Sequence, residues 1–87
     1  MQNDLIDIGG SCYVVADCIK HIANPNTASV KRILKFLRER HAVTSATRGQ
    51  KTRSIIFIEG PHAYRSSLTV EEIEGLRVIA REKKWGE

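Results

Sequence analysis

Apolar positions along the chain change rhythm several times, and each rhythm predicts a different element. In LIDIGGSCYVV, residues 5–15, two short apolar-rich segments, Leu5 to Ile8 and Cys12 to Val15, flank Gly9-Gly10. Glycine reaches the positive φ angles of a tight turn without a Cβ penalty, so this stretch predicts a β-hairpin. CIKHIAN follows with an imperfect alternation around Ile19 and Ile22, a candidate third strand that Pro25 ends. NPNTASVKRILKFLRERH then takes up a helical period. Val30, Ile33, Leu34 and Leu37 make one apolar stripe, and Asn26 or Thr27 stands where a cap would accept the first N–H groups. The prediction is a basic amphipathic helix at about 28–40. Lys31, Arg32, Lys35 and Arg38 occupy its remaining surface.

AVTSAT, RSIIFIEG and HAYRSSL are short runs rich in β-branched and aromatic residues, with RGQK and EGPH between them as turns. Successive strands usually pair, so an antiparallel meander is expected. Ile55-Ile56-Phe57-Ile58 is apolar on both faces, which fits a strand covered by a helix on one side and a partner subunit on the other. In LTVEEIEGLRVIAREKKWGE, Thr69 and Glu72 are spaced as a capping box, with Leu68 and Ile73 as its hydrophobic staple. A second helix at about 69–84 follows, with Val70, Ile73, Leu76 and Ala80 as its core stripe. Val78 and Trp85 share a different face, available for a further contact or for Trp85 to fold back on its own domain. The reading is an α+β fold of one domain, residues 1–87.

With 87 residues, the chain buries roughly 60 to 65 % of its unfolded surface, so self-association is a natural route to extra buried area. No apolar run approaches the ~18 residues of a membrane helix, and MQNDLIDIGG has neither the basic nor the long apolar region of a signal peptide. A cytoplasmic protein with no membrane association is expected. Cys12 and Cys18 have a spacing that demands no disulfide, and Cys18 with His21 is at most one weak ligand pair, so neither metal nor cofactor is expected. The net charge of +4 is unevenly spread. Residues 1–26 hold one Lys against three Asp, residues 27–53 eight Lys/Arg against one Glu, and residues 54–87 five against six. Such a cationic middle is the footprint of a surface for a polyanion, although a solvated basic helix gives the same count.

TRGQKTRS, residues 47–54, concentrates that charge around one glycine. A phosphate loop is excluded, because Gln50 stands where its second glycine belongs, Ser45 where the first belongs, and a strand follows instead of a helix. No Ser/His/Asp or Cys/His constellation stands at a recognisable local spacing, so an enzyme and a small-molecule substrate are not expected. As a turn, the segment projects Arg48, Lys51 and Arg53. Arginine clamps phosphate or reads guanine, Gln50 suits adenine, and Lys51 is a point charge. A solvated charged turn is the competing reading, and the neighbouring basic helix with Lys31, Arg32 and Lys35 shifts the balance toward nucleic acid. Lys31 and Arg32 also suit contacts between subunits.

IDIGG, ANPNTASVKRIL, ATRGQKTRSIIFI and SSLTVEEI together resemble the RemA family of small bacterial DNA-binding regulators, which control extracellular-matrix genes. The likeness runs from about Ile6 to Ile73, and is most specific over Pro25 to Arg32 and at Ala46-Thr47, Gly49, Thr52 and Arg53. It implies a protomer related to LytTR-type domains, assembled as a homo-oligomeric ring that binds double-stranded DNA through repeated basic residues. Typical members carry two arginines after the turn glycine, where this chain has Gln50 and Lys51, and another where it has Cys18. Arg48 and Lys20 are placed to compensate. The resulting DNA contacts are Arg48, Gln50, Lys51 and Arg53 first, then Lys20, Lys31, Arg32 and Lys35. The alternative is a ring-forming interaction or scaffold module with weak or lost DNA binding.

Overall fold

The computed structural model describes residues 5–86, with side chains as far as Ala80. Strands β1 (Leu5–Asp7) and β2 (Tyr13–Val15) pair antiparallel. Gly9, Gly10 and Ser11 between them all have positive φ, and Asp7 Oδ1 accepts the Gly9 N–H at 2.9 Å. Alternation buries Ile6, Ile8 and Val14 and turns Leu5, Tyr13 and Val15 outward. A short 3₁₀ turn at Ala16–Cys18 leads into β3 (Ile19–Ala23). Both Cys12 and Cys18 are free thiols.

Helix α1 spans Ala28–Glu39. Thr27 occupies its N-cap in an extended conformation, yet its hydroxyl makes no cap bond and donates instead to the Asn24 carbonyl at 3.4 Å. Asn26 does not supply the cap either: its N–H donates to Asn24 Oδ1, closing the Asx turn around Pro25. The expected stripe also loses one member. Val30, Leu34 and Leu37 are buried, while Ile33 remains 46 % exposed beside Phe36. At about 100° per residue, Ile33 is rotated off the line of the other three and overhangs the edge of the packed face.

The strands β4 (Val43–Ser45), β5 (Ser54–Ile58) and β6 (His62–Ser66) join β3 in a sheet of order β3-β5-β6-β4. This corrects the meander. β5 is antiparallel to both neighbours, but β4 runs parallel to β6, with Val43 opposite Ala63, and never touches β5 in the ladder. Residues 46–53 therefore cross the end of β6 instead of closing a hairpin. The local turn signal is genuine, but a turn does not determine which strands pair.

Both faces of β5 are covered within one chain, which corrects the expectation of a partner subunit there. Ile55, with Ala63 of β6, packs against Val30, Leu34 and Leu37 of α1. Ile56 belongs to the other layer with Ile6, Ile8 and Val14 of the hairpin and Ile73 of α2 (Val70–Gly86). The start of α2 is the capping box: the Thr69 N–H donates to Glu72 Oε1 at 2.8 Å, and the Glu72 N–H donates to Thr69 Oγ1 at 3.1 Å. Ile73 and Ala80 are buried, Val70 and Leu76 partly so, and Val78 and Ile79 are exposed. Trp85, paired with Val78 by sequence, lies outside the described side chains.

Two fully buried serines join the layers. Ser54 and Ser66 are opposite each other in the β5–β6 ladder. The Ser66 hydroxyl donates to the Ile8 carbonyl at 2.6 Å and accepts the Leu68 N–H at 3.1 Å, while the Ser54 hydroxyl donates to the Leu68 carbonyl at 2.8 Å.

The hairpin tip is equally constrained. A Cβ on Gly10, at φ +59°, would lie 2.5 Å from the Ala46 carbonyl oxygen and 3.1 Å from Cγ of Arg48. Gly49, at φ +82°, has nothing within 4 Å of that position. Gly49→Ala is expected to cost only the left-handed penalty, about 1–2 kcal/mol. Gly10→Ala adds a backbone collision and is expected to lower stability further, read as a lower urea midpoint than that of Gly49→Ala.

Candidate functional site

The basic segment is built on the end of β6. Its first anchor is the Ala46 N–H, which donates to the Arg65 carbonyl at 2.8 Å. Its last is the Arg53 N–H, which donates to the adjacent carbonyl, that of Ser66, at 2.8 Å. Ala46 and Thr47 are buried, and the Thr47 hydroxyl hydrogen-bonds that of Ser45 at 3.1 Å. Beyond this stem the Gln50 N–H donates to the Thr47 carbonyl at 2.9 Å, closing a tight turn whose central residues, Arg48 and Gly49, are both left-handed. The geometry leaves Arg48, Gln50, Lys51 and Arg53 exposed on a tip held at its base. Gly10 of the hairpin supports the stem of Arg48 from beneath.

Lys51 is brought beside α1. It lines a groove of about 470 Å³ together with Lys31 and Arg38 of α1 and Arg65 of β6. The groove continues past Lys51 and Thr52 into a second one of about 470 Å³ that includes Arg53, Asn24 and the first turn of α2. The expected contacts therefore divide. Lys31, Lys51 and Arg53 line one continuous trench, and Arg48 and Gln50 stand at the neighbouring tip. Arg32 and Lys35 are exposed on α1 without lining the trench, and Lys20 is exposed on β3, the strand at the sheet edge away from β4.

Arg38 and Arg65 are trench cations that sequence reasoning leaves out of the contact set. Arg38 is seven residues after Lys31 and so lies on the same helical flank, a signal present in the sequence. Arg65 alternates with Tyr64 and Ser66 on β6 and shares the α1-facing side with Ala63. Arg40, by contrast, has a local partner: its guanidinium lies 4.5 Å from the centre of the Phe36 ring.

Among the described residues no helix is long and apolar enough to cross a membrane. Residues 5–75 match the model of the RemA-like family, described as extracellular matrix regulatory protein A-like. A protein of Oceanobacillus iheyensis is 34 % identical over 95 % of this chain and 95 % of its own. Relatives from Trichormus variabilis and Oleidesulfovibrio alaskensis are 33 % and 36 % identical, over 94 % and 90 % of this chain and 93 % and 92 % of theirs. The names of all three propose a regulatory role. The matched region contains the hairpin, the whole sheet, α1 and the basic tip.

Lys51 and Arg53 make no ion pair among the described residues, and both are exposed to solvent. Lys51→Ala and Arg53→Ala are thus expected to change stability by no more than about 0.5 kcal/mol. Unchanged thermal midpoints would show that these variants report on the surface and not on folding.

Proposed function

The chain belongs to the RemA-like family of extracellular matrix regulatory proteins, and from that membership we propose that it is a non-enzymatic, oligomeric regulator of transcription that binds double-stranded DNA. The observation that carries the reading is the exposed tip Arg48–Arg53 beside the cationic flank of α1. Arg48, Lys51 and Arg53 supply phosphate contacts, and Gln50 is the one neutral donor and acceptor among them suited to a base edge. Lys31 extends the same surface, and Lys20, Arg32 and Lys35 give peripheral charge. The protomer is read as LytTR-like, acting in the bacterial cytoplasm on genes for the biofilm matrix.

Association into a ring is part of the proposal. Exposed apolar side chains occur on both sides of the sheet: Ile33 and Phe36 on α1, and Leu5, Tyr13, Val15, Val78 and Ile79 on the hairpin and α2. Two different patches facing opposite ways favour a head-to-tail contact, which closes into a ring when the rotation between copies permits. Binding strength supports the same reading. One protomer neutralising three phosphates gives a log–log salt slope of roughly −2.7 and weak binding, while several protomers on one bent duplex gain through effective concentration.

A ring-forming scaffold without strong DNA binding is the second reading, favoured by Gln50 and Cys18 at positions where the family resemblance implies arginine. Retention of a random-sequence duplex across a salt titration, combined with sedimentation mass, separates them. The expected result is a mass of several chains and a steep slope, which becomes shallower by about one for every phosphate that Arg48→Ala or Lys51→Ala leaves without its cation. No retention at ~50 mM salt would replace the regulator with the scaffold. A monomer mass would remove the ring.

A further inference from the structure

We propose that the groove between α1 and the Ile55–Arg65 rung is a binding site for a phosphate group. Four of the nine residues lining it, Lys31, Arg38, Lys51 and Arg65, are cations, and none is a carboxylate. Like charges gathered in one concavity raise its potential and favour an anion there. Arg65 sharpens the case. Its Nε is fully enclosed, and no described residue accepts the hydrogen. Enclosing a guanidinium edge without an acceptor is unfavourable, and a counter-charge reaching its outer nitrogens from the groove offsets part of that cost.

Arg77 provides an internal contrast. Its Nε is also enclosed without an acceptor, but its outer nitrogens reach the Ile19 carbonyl at 3.4 Å and the Glu74 carboxylate at 3.7 Å. Arg65 makes no side-chain hydrogen bond or ion pair among the described residues. The start of α1 adds to the same field. Asn26 lines the groove, the first turn of the helix has no acidic side chain, and Thr27 leaves it without a hydroxyl cap.

The ligand chemistry follows from the number of donors. A carboxylate offers two oxygens and one charge, whereas a terminal phosphate offers three oxygens and a charge near −2, matching several cations at once. The volume of about 470 Å³ exceeds what one phosphate fills and lies within the range of small-molecule sites, roughly 300–1,000 Å³. The groove therefore has room for a phosphate carried on a larger molecule, whose remainder can lie along the adjoining trench past Lys51 and Thr52. A soluble phosphorylated compound and a nucleic-acid backbone share this chemistry. The phosphate site does not depend on the DNA reading.

Titration of the full chain with inorganic phosphate, with sodium chloride adjusted to constant ionic strength, tests it through the Arg65 Nε–H resonance. Enclosure slows solvent exchange of that proton. The expected result is a saturable shift, weakened about tenfold or more in Lys31→Ala. Lys31 is exposed on the helix, so its variant reads the groove without disturbing the sheet. Arg40→Ala removes equal charge from the opposite flank of α1 and should leave the midpoint within about twofold, a small difference on the affinity scale.

A second arm adds a short random-sequence duplex in place of phosphate. Displacement of the same resonance, with weaker retention by Lys31→Ala, identifies the source as a backbone phosphate. Retention with the resonance unmoved identifies a soluble phosphorylated compound. A non-saturating phosphate response, or a saturating one of equal midpoint in Lys31→Ala, overturns the site, even if the duplex is still retained.

Discussion

The architecture depends on two hydroxyl groups that never meet solvent. Ser54 and Ser66 face each other across the β5–β6 ladder, and their three hydrogen bonds reach the hairpin at Ile8 and the entry to α2 at Leu68. Each such bond contributes only about 0.5–1.5 kcal/mol net, but a buried partner left unmade costs about 1–3 kcal/mol. The asymmetry makes them locating devices more than sources of stability. The apolar layers could slide over one another at small penalty; a buried carbonyl that needs its donor cannot.

The same strand end also locates the basic tip. Arg65 and Ser66 offer consecutive carbonyls to the two ends of residues 46–53. The side chain of Arg65 meanwhile projects to the α1 side and lines the groove. Two adjacent rungs, Ser54–Ser66 and Ile55–Arg65, therefore fix the hairpin, the second helix, the cationic tip and the floor of the trench. α1 completes the arrangement with three distinct faces: Val30, Leu34 and Leu37 against the sheet, Lys31 and Arg38 over the trench, and Ile33 and Phe36 outward.

Features governed by neighbours in the chain are legible without the fold. Gly9-Gly10 marks the hairpin, Thr69 and Glu72 mark the start of α2, and the excess of Lys and Arg over residues 27–53 marks the cationic surface. What escapes depends on residues far apart. The parallel pairing of β4 with β6 is invisible to turn chemistry, because RGQK forms a tight turn whichever strands it separates. The double apolar face of β5 is evident, but the hairpin that covers one side comes from the other end of the sequence. Arg65 carries no signal as a site residue until β6 is seen against α1, since one arginine in a strand is ordinarily solvated. Arg38 is recognisable by its helical spacing, but that spacing suits a solvated helix surface equally well.

A loop secured at its base by backbone bonds separates what must stay from what can change. The stem of residues 46–53 is held through main-chain N–H groups at Ala46 and Arg53, which any residue but proline supplies. Arg48, Gln50 and Lys51 contribute no core packing to the sheet. Substitutions at Gln50 and Lys51 can therefore accumulate with little penalty to folding while the scaffold stays intact, whereas Arg48, at φ +52°, favours residues that tolerate the left-handed region. The tip is a replaceable cartridge, and Gln50 and Lys51 stand where the architecture constrains side-chain identity least.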